Sequence, residues 1–348
     1  MEPGDVLRWR PVSRADVPAM TVLFAEIEES DRYGWHFDAD FLARWLADPL
    51  IDLGRGSIAA FDAGRMVATG VLAARSEADP VHAMHYEGGV HPAYRGRGLG
   101  TALLDWAVRA AGPLHADRFP GLALAVQCGF PVSDNAAAEL FAQHGFVPVR
   151  YFRKMARGLD GDDLPSVRVP NGFEIVPYRA GLDEAMRVAK NEAFRDHWDV
   201  TETTPEVWRS RFTGAEFQPG LSPLAIDGPT GQIVGLIVTH EHRADTAAAG
   251  GPDAYLNNVG TLRSARGRGV ATALIATMLR AAREEGFATA SLQVDSENLT
   301  GALGVYEKCG FAVVDTWVTY SRALEATRPG GQAGEFSQAD LACLRASE

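Results

Sequence analysis

Cysteine is scarce in this chain. Only Cys128, Cys309 and Cys343 occur in 348 residues, with no CxxC pair and no His/Cys cluster. That pattern excludes a disulfide framework and a structural zinc site, and no metal is expected. Long apolar runs are absent too: no stretch of about 18 apolar residues could cross a membrane as a helix. The N-terminus, Met1-Glu2-Pro3-Gly4-Asp5, is acidic and has no apolar segment, so it does not read as a signal peptide. A cytoplasmic protein is expected. Positive charge is in deficit, with 33 Lys and Arg against 45 Asp and Glu, a net charge of −12. Nucleic acid and anionic membranes are therefore unsuitable partners. A small amine would be steered favourably, though weakly at cellular salt. A monomer or homodimer is expected.

What the chain does contain is one stretch that occurs twice. The first copy is Tyr94-Arg95-Gly96-Arg97-Gly98-Leu99-Gly100-Thr101-Ala102-Leu103-Leu104, and the second is Ala265-Arg266-Gly267-Arg268-Gly269-Val270-Ala271-Thr272-Ala273-Leu274-Ile275. The two are offset by 171 residues, from Arg95 to Arg266. Each follows a strand-like run and opens an Ala/Leu-rich helix. Such a junction leaves backbone N–H groups unpaired at the positive end of a helix dipole. Glycines let an anion approach that backbone, and arginines suit phosphate. Each copy reads as a pyrophosphate cradle. A dinucleotide fingerprint is the rival, but Thr101 stands where its third glycine belongs, and the second copy has only Gly267 and Gly269. No acidic residue follows at the distance a ribose would need. Glycines serving only a tight turn would not explain two arginines in both copies.

Elements repeat around these turns. Residues 5–12 read as a strand, and Ser13 with Asp16 as the cap of a helix reaching about Ser30. Phe41, Trp45 and Leu46 fit one helical face, either against the core or walling a cleft. Strands at 57–61 and 66–73 flank the turn Asp62-Ala63-Gly64-Arg65, and a strand at 83–91 enters the first cradle. The helix from 98 is expected to stop at Gly112-Pro113. A strand at 122–126, a helix at 135–144 and a strand at 147–155 complete the half. After the Gly/Asp/Pro-rich stretch 158–172 the order restarts. It gives a strand at 173–178, helices near 181–196 and 204–213, a hairpin at 224–240 and an Ala/Gly-rich loop at 243–252. A strand at 255–261, the second cradle with its helix, a strand at 288–294, a helix at 299–309 and a strand at 311–321 follow. The expected division is 1–157, a linker at 158–172, 173–325, and a polar tail at 326–348.

The pattern Arg-x-x-Gly-x-Gly/Ala after a strand, then a strand and a helix ending in Gly-Phe, resembles the GCN5-related N-acetyltransferase superfamily. The closing landmark also appears twice, at Asn135 to Gly145-Phe146 and at Asn298 to Gly310-Phe311. The resemblance spans nearly the whole chain. It implies an α/β (α+β) protein of two tandem acetyltransferase-like domains, each a mixed, mostly antiparallel central sheet flanked by helices. It implies acetyl-CoA as co-substrate. The cofactor-binding positions it suggests are Val90, Arg95, Gly96, Arg97, Gly98, Leu99, Gly100, Thr101 and Asn135 in the first half. In the second half they are Thr261, Arg266, Gly267, Arg268, Gly269, Val270, Ala271, Thr272 and Asn298.

Acetyl transfer to an amine needs a route for the amine proton, an N–H donor for the oxyanion and a proton for the departing thiolate. In the family a tyrosine in the helix before Gly-Phe is the usual acid. Tyr306 stands four residues before Gly310, but Phe141 stands four before Gly145, and a phenyl ring cannot donate. Glu87, with His85 at period two, is the candidate base of the first half. The corresponding position in the second half is Asn258, preceded by Asn257, which can hold a water but cannot be a base. His240, Glu241 and His242 are the nearby titratable groups. Glu192, Asp196 and Asp199, with Trp208 and Phe217 beyond, either meet an ammonium group or form a solvated acidic face. The expected activity is acetyl transfer from acetyl-CoA to the primary amine of a small molecule, in the second half. The alternatives are catalysis in the first half, or a non-catalytic acetyl-CoA scaffold or sensor.

Overall fold

A computed structural model of the chain describes residues 7–34, 36–75, 78, 80–195, 197, 202–242, 251–297 and 301–324. Trp35, Asp196, Asp199, Asn298, most of the loop 243–252 and the tail from 325 lie outside the described residues. Among the described residues, one compact unit holds 7–150 and 317–324, and the other holds 151–316. This differs from the expected division at 157 and 173. The reason is that each sequence repeat ends in a strand that completes the other repeat's sheet. Both closing strands are similar in length and polarity, so local sequence does not distinguish the two pairings.

In the first unit, β1 (Arg8–Arg10), β2 (Ser57–Asp62), β3 (Arg65–Ala73), β4 (Val81–Val90) and β5 (Ala123–Pro131) lie in that order. Residues 317–324 of β12 (Ala312–Leu324) pair with β5 as the sixth strand. All neighbours are antiparallel except β4 and β5. Period-two alternation decides which helices cover which face. Ala59, Phe61 and Val71 pack under α1 (Val17–Asp31) and α2 (Ala39–Trp45), with Phe41, Trp45 and Leu46 in the same core. Ala60, Ala68 and Leu72 pack under α3 (Leu99–Ala116) and α4 (Asn135–Gln143). The β2–β3 turn has Ala63 at φ 45° and Gly64 at φ 89°, both left-handed, as a two-residue hairpin requires.

Helix α3 does not stop at Gly112-Pro113. It continues to Ala116 with Pro113 inside it. The lost N–H bond is offset by what the added turn buries: Leu114, and His115 beside His82. The two imidazoles stack, with their Nδ1 atoms 2.9 Å apart. His115 Nε2 donates to the Leu122 carbonyl at 3.0 Å, so its Nδ1 accepts. His82 then donates from Nδ1, and its Nε2 accepts the Arg75 backbone N–H at 3.3 Å. The network is complete only with both rings neutral, and burial lowers the His82 pKa to about 4. The unfolded chain therefore binds more protons between pH 6.5 and about 4. Stability is full above that window and falls as pH falls through it, by at most about 3 kcal/mol. We expect the melting temperature to drop across this window more steeply than in a His82→Phe/His115→Phe variant. Parallel melting curves for the two proteins would reject this assignment.

In the second unit, β7 (Phe173–Val176), β8 (Leu224–Asp227), β9 (Ile233–His240), β10 (Asp253–Thr261) and β11 (Thr289–Asp295) lie in that order. Residues 152–158 of β6 (Val147–Gly158) pair with β11. Only β10 and β11 are parallel among these pairs. Helices α5 (Asp183–Ala193), α6 (Val270–Glu284) and α7 (Ala302–Lys308) flank the sheet. The helix expected at 204–213 is one α turn, Pro205–Val207, running into a wider turn at Trp208–Phe212. Trp208 is buried there, with Nε1 donating to Asp183 at 2.8 Å.

Candidate active site

Each unit carries a cleft where its two parallel strands separate. In the first, β4 and β5 pair from Val81↔Ala123 to His85↔Gln127. Beyond that, Tyr86–Val90 pair with β3 alone, while Cys128–Pro131 pair with residues 317–320. In the second, β10 and β11 pair only from Asp253↔Thr289 to Tyr255↔Ser291. The clefts measure about 430 Å³ in the first unit and about 340 Å³ in the second. Gly89 and Gly260, equivalent by the 171-residue offset, let a helix lie close to the strand. A Cβ would come within 2.6 Å of Ile27 at Gly89 and within 3.1 Å of Ala193 at Gly260.

The glycine turns have the same backbone. Gly96 and Gly267 both have φ 71°, and Gly98 and Gly269 have φ 81° and 86°. Side chains rarely adopt this conformation. The first intrahelical bonds run from Ala102 N–H to Gly98 and from Ala273 N–H to Gly269. The N–H groups of Leu99, Gly100 and Thr101, and of Val270, Ala271 and Thr272, thus have no intrahelical acceptor. All six residues line their clefts, as do Gly96, Gly98, Gly267, Gly269, Val90 and Thr261. Asn135 opens α4 but is not among the lining residues.

The arginines brace these turns. Arg95 Nε donates to the Val90 carbonyl at 3.1 Å, and Arg266 Nε to the Thr261 carbonyl at 3.0 Å. Arg97 lies over the Tyr94 ring and Arg268 over the Phe173 ring, away from the lining. The remaining guanidinium nitrogens separate the two sites. Among the described residues, Arg266 reaches a carbonyl there, that of Ala193 at 3.0 Å, and no carboxylate. Arg95 is gripped at both terminal nitrogens by Asp31, at 2.7 and 2.6 Å, which raises its pKa. Asp134 also acts on Arg95, caps α4 through the Ala137 N–H, and accepts the Tyr33 hydroxyl. Among the described residues, the second cleft is lined by Arg266 and Lys308 and by no carboxylate. The first is lined by Arg95 with Asp31, Glu87 and Asp134.

The clefts also differ in their phenols and strand edges. Tyr306 projects from α7, is buried beside Phe311, and its hydroxyl makes no hydrogen bond to a described residue. Burial raises its pKa, so the hydroxyl keeps its proton. Phe141, in the matching place, packs against Phe130, Phe146 and Tyr320. The β9–β10 register shifts between Leu256 and Asn258, leaving Asn257 as an extra residue in a bulge. A bulge re-aims backbone groups out of the ladder. The β3–β4 register runs unbroken from Ala68↔Val90 to Ala73↔His85.

Residues 54–148 match a family model described as acetyltransferase (GNAT) domain, and residues 184–311 one described as acetyltransferase (GNAT) family. The mycothiol acetyltransferase of Streptomyces avermitilis is 32% identical over 246 residues, covering 70% of this chain and 73% of that protein. The chain belongs to the GCN5-related N-acetyltransferase family. A solved member from Sphaerobacter thermophilus superposes with a TM-score of 0.72 at 28% identity, covering 93% of this chain and 97% of its own. A tandem GNAT protein from the clavulanic acid biosynthesis pathway shares the fold, with a TM-score of 0.69 at 18% identity, covering 91% and 98%. The protein is an N-acetyltransferase, which bears out both the expected family and the expected fold.

The candidate bases of the acetyltransferase fall unevenly. Glu87 lines the first cleft, 3.5 Å from His85 Nε2. His240 is buried with Nε2 on the Phe212 carbonyl, Glu241 accepts from Gln218, and His242 lies against Tyr255. None of those three lines the second cleft. Glu192 is ion-paired with Arg195. Phe217 packs edge-on against Tyr178.

Proposed function

We propose that the second unit transfers the acetyl group of acetyl-CoA to the primary amine of a small molecule. The observation carrying this reading is that Tyr306, a buried phenol whose hydroxyl bonds to no described residue, shares one cleft with the N–H groups that open α6 and with Arg266, and among the described residues no carboxylate lines that cleft. Space over the turn supports this reading: a Cβ on Gly267 would touch nothing within 4 Å, which leaves room for a phosphate. In this reading Val270, Ala271 and Thr272 take phosphate oxygens through their N–H groups, with the helix dipole and Arg266 supplying positive potential. Acetyl-CoA supplies the activated acyl group. The bulge at Asn257 offers backbone polarity to the acyl oxygen, Tyr306 gives its proton to the departing sulfur, and Asn258 orients a water that takes the amine proton.

A small metabolite as acceptor accords with relatives named for mycothiol and with the fold neighbour from the clavulanic acid biosynthesis pathway. The net charge of −12 favours approach of a cation. The test is thiol release from acetyl-CoA by the full chain, with primary amines from simple alkylamines to amino sugars. We expect release that depends on one class of amine, with an acetylated product detected by mass. Binding of acetyl-CoA with no release for any amine would favour a scaffold or sensor.

A further inference from the structure

We propose that the first unit's cleft binds a small organic cation with an apolar body and does not accept the coenzyme. Its walls are largely apolar, with Phe24, Ile27, Leu103, Phe130, Leu140 and Phe141 around about 430 Å³. A ring or branched alkyl group would be desolvated there. At the glycine turn the potential opposes phosphate. Both terminal nitrogens of Arg95 are held by Asp31, and Asp134 adds a second carboxylate beside it. The helix dipole of α3 thus faces a turn where Arg95, the arginine that lines the cleft, is outnumbered by Asp31 and Asp134.

Deeper in the cleft the polar groups suit an ammonium. Glu87 and its neighbour on β4, Tyr86, both line the cleft, and Tyr86 is 5% exposed with its hydroxyl bonded to no described residue. Gly88 leaves room for that hydroxyl: a Cβ there would stand 2.5 Å from it. The hydroxyl belongs to a cleft-lining residue, so a ligand in the cleft can supply the hydrogen bond that no described residue makes. Its oxygen accepts from an ammonium N–H, while the Glu87 carboxylate balances the charge. A polar group on the ligand can instead accept the phenol proton.

The test uses the full chain and titration calorimetry. Phenethylamine is the cationic probe and 3-phenylpropionate its anionic counterpart. We expect the amine to bind and the acid not to, with Glu87→Gln or Tyr86→Phe weakening the amine about tenfold. No binding of the amine at millimolar concentration, or equal binding by Glu87→Gln and the unaltered protein, overturns the proposal. A second titration follows acetyl-CoA and rests on the reading of the second unit. We expect one equivalent per chain, none in Ala271→Asp, and two in Asp31→Asn/Asp134→Asn, where asparagine keeps the α4 cap. One equivalent persisting in Ala271→Asp also overturns the proposal, because the first cleft would then hold the coenzyme. Acetyl-CoA failing to bind the unaltered protein would instead sink the reading of the second unit, with the amine titration deciding this one.

Discussion

Tyr306→Phe is expected to lower kcat by about 10²- to 10³-fold and to leave KM for acetyl-CoA nearly unchanged. The substitution removes one oxygen and nothing else. The ring stays in the core beside Phe311, and because the hydroxyl bonds to no described residue, no described group is left unpaired. Stability is therefore expected to hold within about 0.5 kcal/mol, so a loss of turnover reports on chemistry. Burial keeps the phenol protonated, so its proton is still in place when the sulfur departs. A kcat within a factor of two of the unaltered enzyme would remove Tyr306 from the mechanism and direct attention to a water in its place. A rise in KM with kcat retained would make it a binding residue.

The parts of this protein legible in its sequence are those set by local backbone chemistry. Left-handed glycines at 96, 98, 267 and 269 announce the turns, and the constant 171-residue offset announces the duplication. The contrast of Tyr306 with Phe141 needed only the closing Gly-Phe pair, which each precedes by the same four residues. Charge balance at the turns was not legible. Asp31 lies 64 residues from Arg95, and nothing local in the sequence pairs them. The arginines were read as phosphate contacts by residue type, yet each first arginine spends its Nε on the end of the preceding strand. Alternation placed Glu87 and Asn258 at equivalent positions but missed the bulge at Asn257, because one inserted residue breaks the period-two count upstream of it. Tyr86 was overlooked for a related reason: it is the offset partner of Asn257, on a strand where only Glu87 and His85 were sought. The exchange of closing strands and the run of α3 through Pro113 are tertiary outcomes, decided by what each segment buries.

Ala271→Asp is expected to abolish acetyl-CoA binding to the second unit while leaving α6 intact or slightly more stable. Ala271 is the second residue of the helix, half-buried, and lines the cleft. A carboxylate in the first turn of a helix interacts favourably with the dipole, by about 0.3–1 kcal/mol, so folding is not the casualty. The same carboxylate occupies the potential that the phosphates need. At about 4–5 Å from one phosphate charge, with an effective dielectric near 20, repulsion amounts to about 3–4 kcal/mol, or about 10²- to 10³-fold in affinity. Added salt is expected to recover part of that loss, since the repulsion is partly exposed to solvent. Ala271→Ser separates charge from bulk: it adds a single oxygen without charge and is expected to bind within about threefold of the unaltered protein. If Asp and Ser at this position weakened binding equally, space at the turn would govern the affinity. If neither did, the phosphates would lie elsewhere, and the electrostatic contrast between Arg266 and the Asp31-bound Arg95 would have no bearing on which cleft takes the coenzyme.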